Sequence, residues 1–238
     1  MAKPCFYHSE LAGVKVGEAV ELSAAESSHA LQSRRLTKGS QIQLLDGQGW
    51  LADASIEEVG RRSVSVVVSQ LDYLVPPAQK IHCVVAMPKG DRQKAMVDAL
   101  TQLGVSSLTP LQCDRAISIP KDNQLEKLKR VSLEACKQSK NPHILNISAP
   151  QDFKTVITNA KVLIVADQFG KSAREVSESL QTNYGDAPEL TVLIGPEGGF
   201  SKGEFDALAQ LETLSISVGQ HILRTETAAI ALTALLKT

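Results

Sequence analysis

Residues 189–204 read Glu-Leu-Thr-Val-Leu-Ile-Gly-Pro-Glu-Gly-Gly-Phe-Ser-Lys-Gly-Glu. Leu190–Ile194 is a short apolar run of the kind found in a strand buried on both faces. Ser201 and Glu204 stand at capping-box spacing and open a helix. Between them, Gly195-Pro196-Glu197-Gly198-Gly199 places three glycines and a proline in five residues, which makes a shaped turn. A strand feeding a helix through a tight turn is the repeating unit of an α/β domain.

The pattern extends upstream and downstream. Ile81–Met87 is a continuous apolar run, followed by a helix over Asp91–Leu103 that stops at Gly104. A strand at Ser107–Leu111 and a helix at Asp122–Ser139 come next, then strand Val162–Ala166 and helix Lys171–Gln181. After Ser201–Leu211, a strand at Ile216–Val218 leads to a last helix, Thr225–Lys237. That helix is apolar nearly all round, so burial on more than one side is expected. The alternation predicts an α/β domain over 81–238 with a mainly parallel sheet.

The front of the chain differs. Ala19–Leu22, Gln41–Leu45, Trp50–Ile56 and Ser63–Ser69 read as short strands, with a turn at Asp46-Gly47 and one helix opened by Ser23 and Glu26. A small curled β-barrel over 1–72 and a linker over 73–80, carrying Pro76-Pro77, are expected.

Of the 238 residues, 43% are hydrophobic and 21% charged, ordinary for a globular chain. No run of 18 apolar residues suggests a membrane span, and the N-terminus lacks a secretory h-region, so a cytoplasmic protein is expected. Four separate cysteines and five histidines show no metal-ligand spacing, and no metal is expected. Net charge is −1, unevenly spread. Residues 80–140 hold 11 Lys/Arg against 6 Asp/Glu, a basic middle suited to an anionic partner.

Ligands of open α/β sheets bind outside the carboxyl ends of strands. Two such ends are informative, Gly195–Gly199 and Val218-Gly219-Gln220-His221-Ile222-Leu223-Arg224-Thr225. Neither G-x-x-x-x-G-K-[ST] nor G-x-G-x-x-G occurs. Glu197 would repel a phosphate, so an uncharged or cationic ligand fits better.

Together, LIGPEGGFS (193–201) and VGQHILRTETA (218–228) resemble the signature of the ribosomal RNA small subunit methyltransferase E family, of the SPOUT class. Met87–Arg92, Leu103-Gly104-Val105, Pro110-Leu111, Arg115, Glu134-Ala135 and Gln138 extend the resemblance. His29, Arg35, Gly39 and Asp46-Gly47 carry it into the front of the chain. It implies a PUA-like RNA-binding barrel, then a SPOUT-type α/β domain whose chain end threads a deep trefoil knot. It further implies a homodimer that uses S-adenosyl-L-methionine to methylate uridine N3 in the decoding region of 16S ribosomal RNA, alone or within the small subunit.

On that resemblance, Ile194, Gly195, Pro196, Gly198, Gly199, Val218, Gly219, Ile222, Leu223 and Thr225 hold the cofactor. Arg224 stabilises the uridine anion, with Glu197 orienting groups or accepting a proton. The basic middle offers Lys89, Arg92, Arg115 and Lys137 as candidate phosphate contacts, and Arg35 in the front of the chain is a further RNA-binding candidate. Asn141 stands where the family usually has arginine, and Asp114 where glutamate is commoner. The rival reading of the β-rich front and basic middle is a non-catalytic RNA-binding protein.

Overall fold

The computed structural model describes residues 3–185 and 188–237, which form two compact units. The first comprises Met1–Pro76 together with Leu133–Ile144, and the second Pro77–Ser132 with Leu145–Thr238. The chain therefore divides after Pro76. Leu133–Ile144, which the linear reading places in the α/β domain, groups with the first unit.

The first unit is built on a five-stranded sheet ordered β1-β3-β4-β5-β2. These strands are β1 (Cys5–Tyr7), β2 (Ala19–Glu21), β3 (Gln41–Leu45), β4 (Trp50–Val59) and β5 (Val64–Tyr73). β1 and β3 pair in parallel and the other neighbours antiparallel. Register shifts at Asp53/Ala54 and Ile56/Glu58 bend the long β4–β5 ribbon. Phe6, Leu11, Ile42, Leu44, Ile56 and Val66 fill its core. The Asp46 carboxylate accepts from the N–H groups of Gln48 and Trp50 and shapes the β3–β4 turn, where Gly47 and Gly49 both have positive φ. The turn residues in turn hold the Leu133–Ile144 segment: the Gly49 N–H donates to Pro142, and Ile144 donates to Gly47.

Ser23 caps α1 (Ala24–Ser28) as its spacing predicts, accepting from the Glu26 N–H at 3.2 Å. The carboxylate of Glu26 does not return to the cap. It takes the Lys137 ammonium at 2.9 Å, and both side chains are under 10% exposed. A second partner, Glu134, lies 2.7 Å from the same ammonium. Lys137 is thus no phosphate contact. Its charge is spent inside the protein, which corrects the expectation drawn from the basic middle. Burial works to lower the Lys137 pKa, but the bonds from Glu134 and Glu26 prevail and raise it. Cys5 and Cys136 pack nearby with Leu45, and burial pushes the Cys5 thiol up to about 12. Asn141 accepts the His143 N–H on its side-chain oxygen, so this residue shapes the turn after the helix Asp122–Ser139.

The second unit carries a parallel sheet ordered β12-β10-β11-β6-β7-β8. Its strands are β6 (Lys80–Val85), β7 (Ser107–Gln112), β8 (Asn146–Ile147), β10 (Val162–Lys171), β11 (Glu189–Ile194) and β12 (Thr213–Ile216). The short β9 (Gln151–Asp152) pairs with β7 off this path. The helices are α2 (Asp91–Gln102), α3 (Asp122–Ser139, whose end from Leu133 belongs to the first unit), α4 (Phe153–Asn159), α5 (Ala173–Tyr184), α6 (Lys202–Ala209) and α7 (Thr225–Leu236).

Neighbouring strand residues face opposite sides, and both sides are covered. Ile81, Cys83, Val85, Ile164, Val192 and Ile194 pack under Met96 and Leu100 of α2, Val176 of α5 and Leu232 of α7. Val84, Leu163, Val165 and Leu193 pack under Phe153, Phe200 and Leu208 on the other face. This is why these strands read as unbroken apolar runs. α7 is buried at Ala229, Leu232, Thr233 and Leu236, but Thr227 and Leu235 are exposed. Its burial is therefore one-sided within this chain.

The path of the chain locates the site. From β10 it crosses through α5 to β11, inside the sheet, then reverses through α6 to β12 at the edge. α5 and α6 lie on opposite faces. Such a reversal opens a crevice at the carboxyl ends of the strands concerned.

Candidate active site

A cavity of about 520 Å³ occupies that crevice. Its walls come from three strand ends. β11 gives Ile194, Gly195, Pro196, Glu197, Gly199 and Phe200; β12 and its loop give Ile216 to Gly219 and His221 to Leu223; β10 gives Ala166 to Phe169. Thr225, Ala228 and Leu232 of α7 close it from behind.

The turn after β11 is held from several directions. Gly199 has φ +67° and donates its N–H to Pro196 at 2.8 Å, a conformation that suits glycine. Gly195 lies against the Phe200 ring: a Cβ there would sit 3.0 Å from a ring carbon. Arg115 donates from Nη1 to the carbonyls of Gly198 and Phe200, at 2.8 and 3.3 Å. Ser201 donates its hydroxyl to Asp114 at 2.6 Å, and Glu204 accepts the Asp114 N–H at 2.9 Å. The predicted capping box of α6 is complete, with Ser201 and Glu204 bonded reciprocally. The loop after β7 thus buttresses the loop after β11. Cys113 sits beside this buttress, and its thiol is pushed to about 11 by burial, too high for a thiolate at neutral pH.

Of the residues expected to hold a cofactor, Ile194, Gly195, Pro196, Gly199, Val218, Gly219, Ile222, Leu223 and Thr225 all line the cavity. Gly198 does not; a Cβ built there would meet the Arg115 side chain at 3.7 Å. Glu197 lines the cavity and lies 3.8 Å from Arg92. Arg224 is exposed at the N-cap of α7, between two lining residues but not itself in the lining. Lys89 and Arg92 are exposed in the segment after β6. Arg115 is exposed too, but part of its donor set is committed to the loop carbonyls. Arg35 is exposed in the first unit at φ +51°.

The sequence reading omitted Asp167, Phe169, Phe205, His221 and Leu232. The signal for the first two was available: β10 is also a parallel strand, so its carboxyl end belongs to the same crevice. The apolar run ends at Ala166, where the polar residues begin.

The cavity is apolar on most sides, and Asp167 and Glu197 give it two carboxylates. A family model described as an RNA methyltransferase domain matches residues 76–237, and an RNA methyltransferase PUA domain model matches residues 22–69. The ribosomal RNA small subunit methyltransferase E of Rickettsia conorii is 30% identical over 225 residues, 89% of this chain and 86% of its own. This chain belongs to the ribosomal RNA small subunit methyltransferase E family. The Bacillus subtilis member is 25% identical, over 93% of this chain and 91% of its own. A Legionella pneumophila protein described as a methyltransferase, solved in complex with the cofactor SAM, superposes with a TM-score of 0.86. It shares 27% identity and covers 99% of this chain and 97% of its own. The first unit thus contains the family's PUA segment, and the cavity lies in its methyltransferase domain. Among the described residues, no helix is long and apolar enough to cross a membrane, and no His/Cys/Asp/Glu group has the makings of a metal site.

Proposed function

We propose that this chain is an S-adenosylmethionine-dependent methyltransferase acting on N3 of a uridine in the decoding region of 16S ribosomal RNA, as a homodimer with a trefoil-knotted chain end. The observation that carries the proposal is the cavity itself, formed where the family's two glycine-containing loops meet. Its volume of about 520 Å³ falls in the range of small-molecule sites. Ile194, Val218, Ile222 and Leu223 offer apolar walls, Gly199 leaves main chain open to a ligand, and Asp167 and Glu197 offer negative charge to a sulfonium. The residues present therefore fit this cofactor and would repel a nucleotide phosphate.

When bound, the cofactor supplies an electrophilic methyl group. The chain's own residues do the rest. Uridine N3 is protonated at neutral pH and is a poor nucleophile until the proton leaves. The Arg224 guanidinium cannot act as a base, so its role is to stabilise the anion as a fixed cation. Glu197 is proposed to orient the surrounding groups or accept the proton. The buttress from Asp114, Arg115 and Ser201 keeps the β11 loop fixed, so its groups need not reorganise during reaction. Lys89 and Arg92 add positive charge near the same strand ends for RNA phosphates. The small residues Ala231 and Ala234 on α7, only partly buried within this chain, permit close approach of a partner helix.

The test is methyl transfer from labelled cofactor to small ribosomal subunits from a strain lacking the enzyme, with primer extension to locate the product. N3 methylation blocks base pairing, so a single new stop in the decoding region is expected. Label without such a stop would move the reaction to another atom, and no label would overturn the assignment. Sedimentation should give twice the chain mass of 25.6 kDa.

A further inference from the structure

We propose that Phe169 is the platform on which the target base stacks when it is turned out of the RNA. This rests on the function proposed above and names the residue that receives the substrate. β10 pairs with β11 only as far as Val165, opposite Leu193. Beyond that its pairing with β12 jumps, with both Ala166 and Lys171 opposite Ile216. Residues 167–170 are therefore looped out of the sheet at the cavity rim. The Asp167 carboxylate accepts the Phe169 N–H at 3.0 Å and fixes the turn. Gly170 lets the chain re-enter: a Cβ there would lie 2.6 Å from the Ile216 nitrogen.

This construction holds a phenyl ring in water. Phe169 is 89% exposed and yet lines the cavity. Phe153 meets Phe200 at a tilt, Phe200 meets Phe205 edge-on, and Tyr184 packs against the core. Among the described residues, Phe169 takes part in none of these ring pairs. A reacting base in RNA must leave its stack to reach a buried methyl donor, and the receiving surface is characteristically a flat apolar side chain at the pocket mouth. Phe169 carries no charge or hydrogen-bonding group, so it suits the face of a base rather than a phosphate.

The test compares Phe169→Ala, Phe169→Leu and Phe169→Trp, using cofactor titration and methylation of small subunits. Phe169→Ala should bind S-adenosylmethionine within about twofold of wild type but lose about 10- to 100-fold in kcat/KM for RNA, the scale of one base–aromatic stack. Phe169→Trp should restore activity, and its extra fluorescence over wild type should be quenched by the subunit. Phe169→Leu, equally apolar but not aromatic, should stay impaired. Full activity of the Ala or Leu variant would overturn the inference. So would a tenfold loss of cofactor affinity in Phe169→Ala, which would make the ring a lid on the donor. Wild-type protein that neither binds the cofactor nor methylates RNA would instead sink the function on which the inference rests.

Discussion

Replacing Lys137 with Met separates two roles for the basic middle of the chain. By composition Lys137 is an RNA contact; by structure it neutralises Glu26 inside the first unit. The Lys137 and Glu26 side chains are 6% and 9% exposed, and the Glu26 Oε2 atom has no hydrogen-bond partner among the described residues. Removing the ammonium leaves a buried carboxylate with its chief partner gone. Breaking one half of such a pair costs about 3–5 kcal/mol. At about 2–4 °C per kcal/mol for a chain of this size, the melting temperature should fall by roughly 6–20 °C. The double variant Glu26→Gln, Lys137→Met should recover much of this, because the stranded charge is gone. The Lys137 pKa is raised on folding, so its contribution is fully present below its ordinary value of 10.5 and is lost only as pH rises through the higher folded value. The deficit should therefore hold steady from pH 6 to 9. Calorimetry of the two variants reads the loss and the recovery, and RNA titration against salt reads the alternative. An unchanged melting temperature, with the salt slope reduced by about one, would refute the structural reading.

Three further substitutions probe the site. Gly170→Ala forces a Cβ against the Ile216 backbone, so it should destabilise the end of β10 and impair methylation while leaving the fold of the first unit intact by hydrogen exchange. Arg115→Ala frees the carbonyls of Gly198 and Phe200; cofactor affinity should drop about 5- to 30-fold as the loop loosens, and unchanged affinity would leave Arg115 to RNA alone. Arg224→Ala should keep cofactor affinity, since the side chain is outside the cavity lining, but lower turnover about 100-fold or more; unaltered turnover would remove Arg224 from the chemistry.

What was legible in the sequence depended on how local its cause is. The helix over Asp122–Ser139 is found where periodicity puts it, and the α6 capping box forms as Ser201 and Glu204 predict. Strands β6 and β11 announce themselves because both faces are buried. The Ser23–Glu26 pair misleads halfway: the cap forms, but the carboxylate is taken by Lys137, a residue 111 positions away. No local pattern carries that information. The same holds for Arg115, whose partners lie 83 and 85 positions downstream. β1 was missed because Cys5–Tyr7 is three residues long and is defined by pairing with Gln43–Leu45 rather than by its own composition. The front of the cavity was found from its glycine loops, whereas the Asp167–Gly170 rim was passed over because it is polar and interrupts a strand.

The crevice at the ends of β10, β11 and β12 is proposed to bind S-adenosylmethionine. Isothermal titration of the cofactor into the purified chain, alone and with small subunits added, tests it most directly. Saturable binding at one site per chain is predicted. Absence of binding up to millimolar cofactor in both conditions would contradict the account.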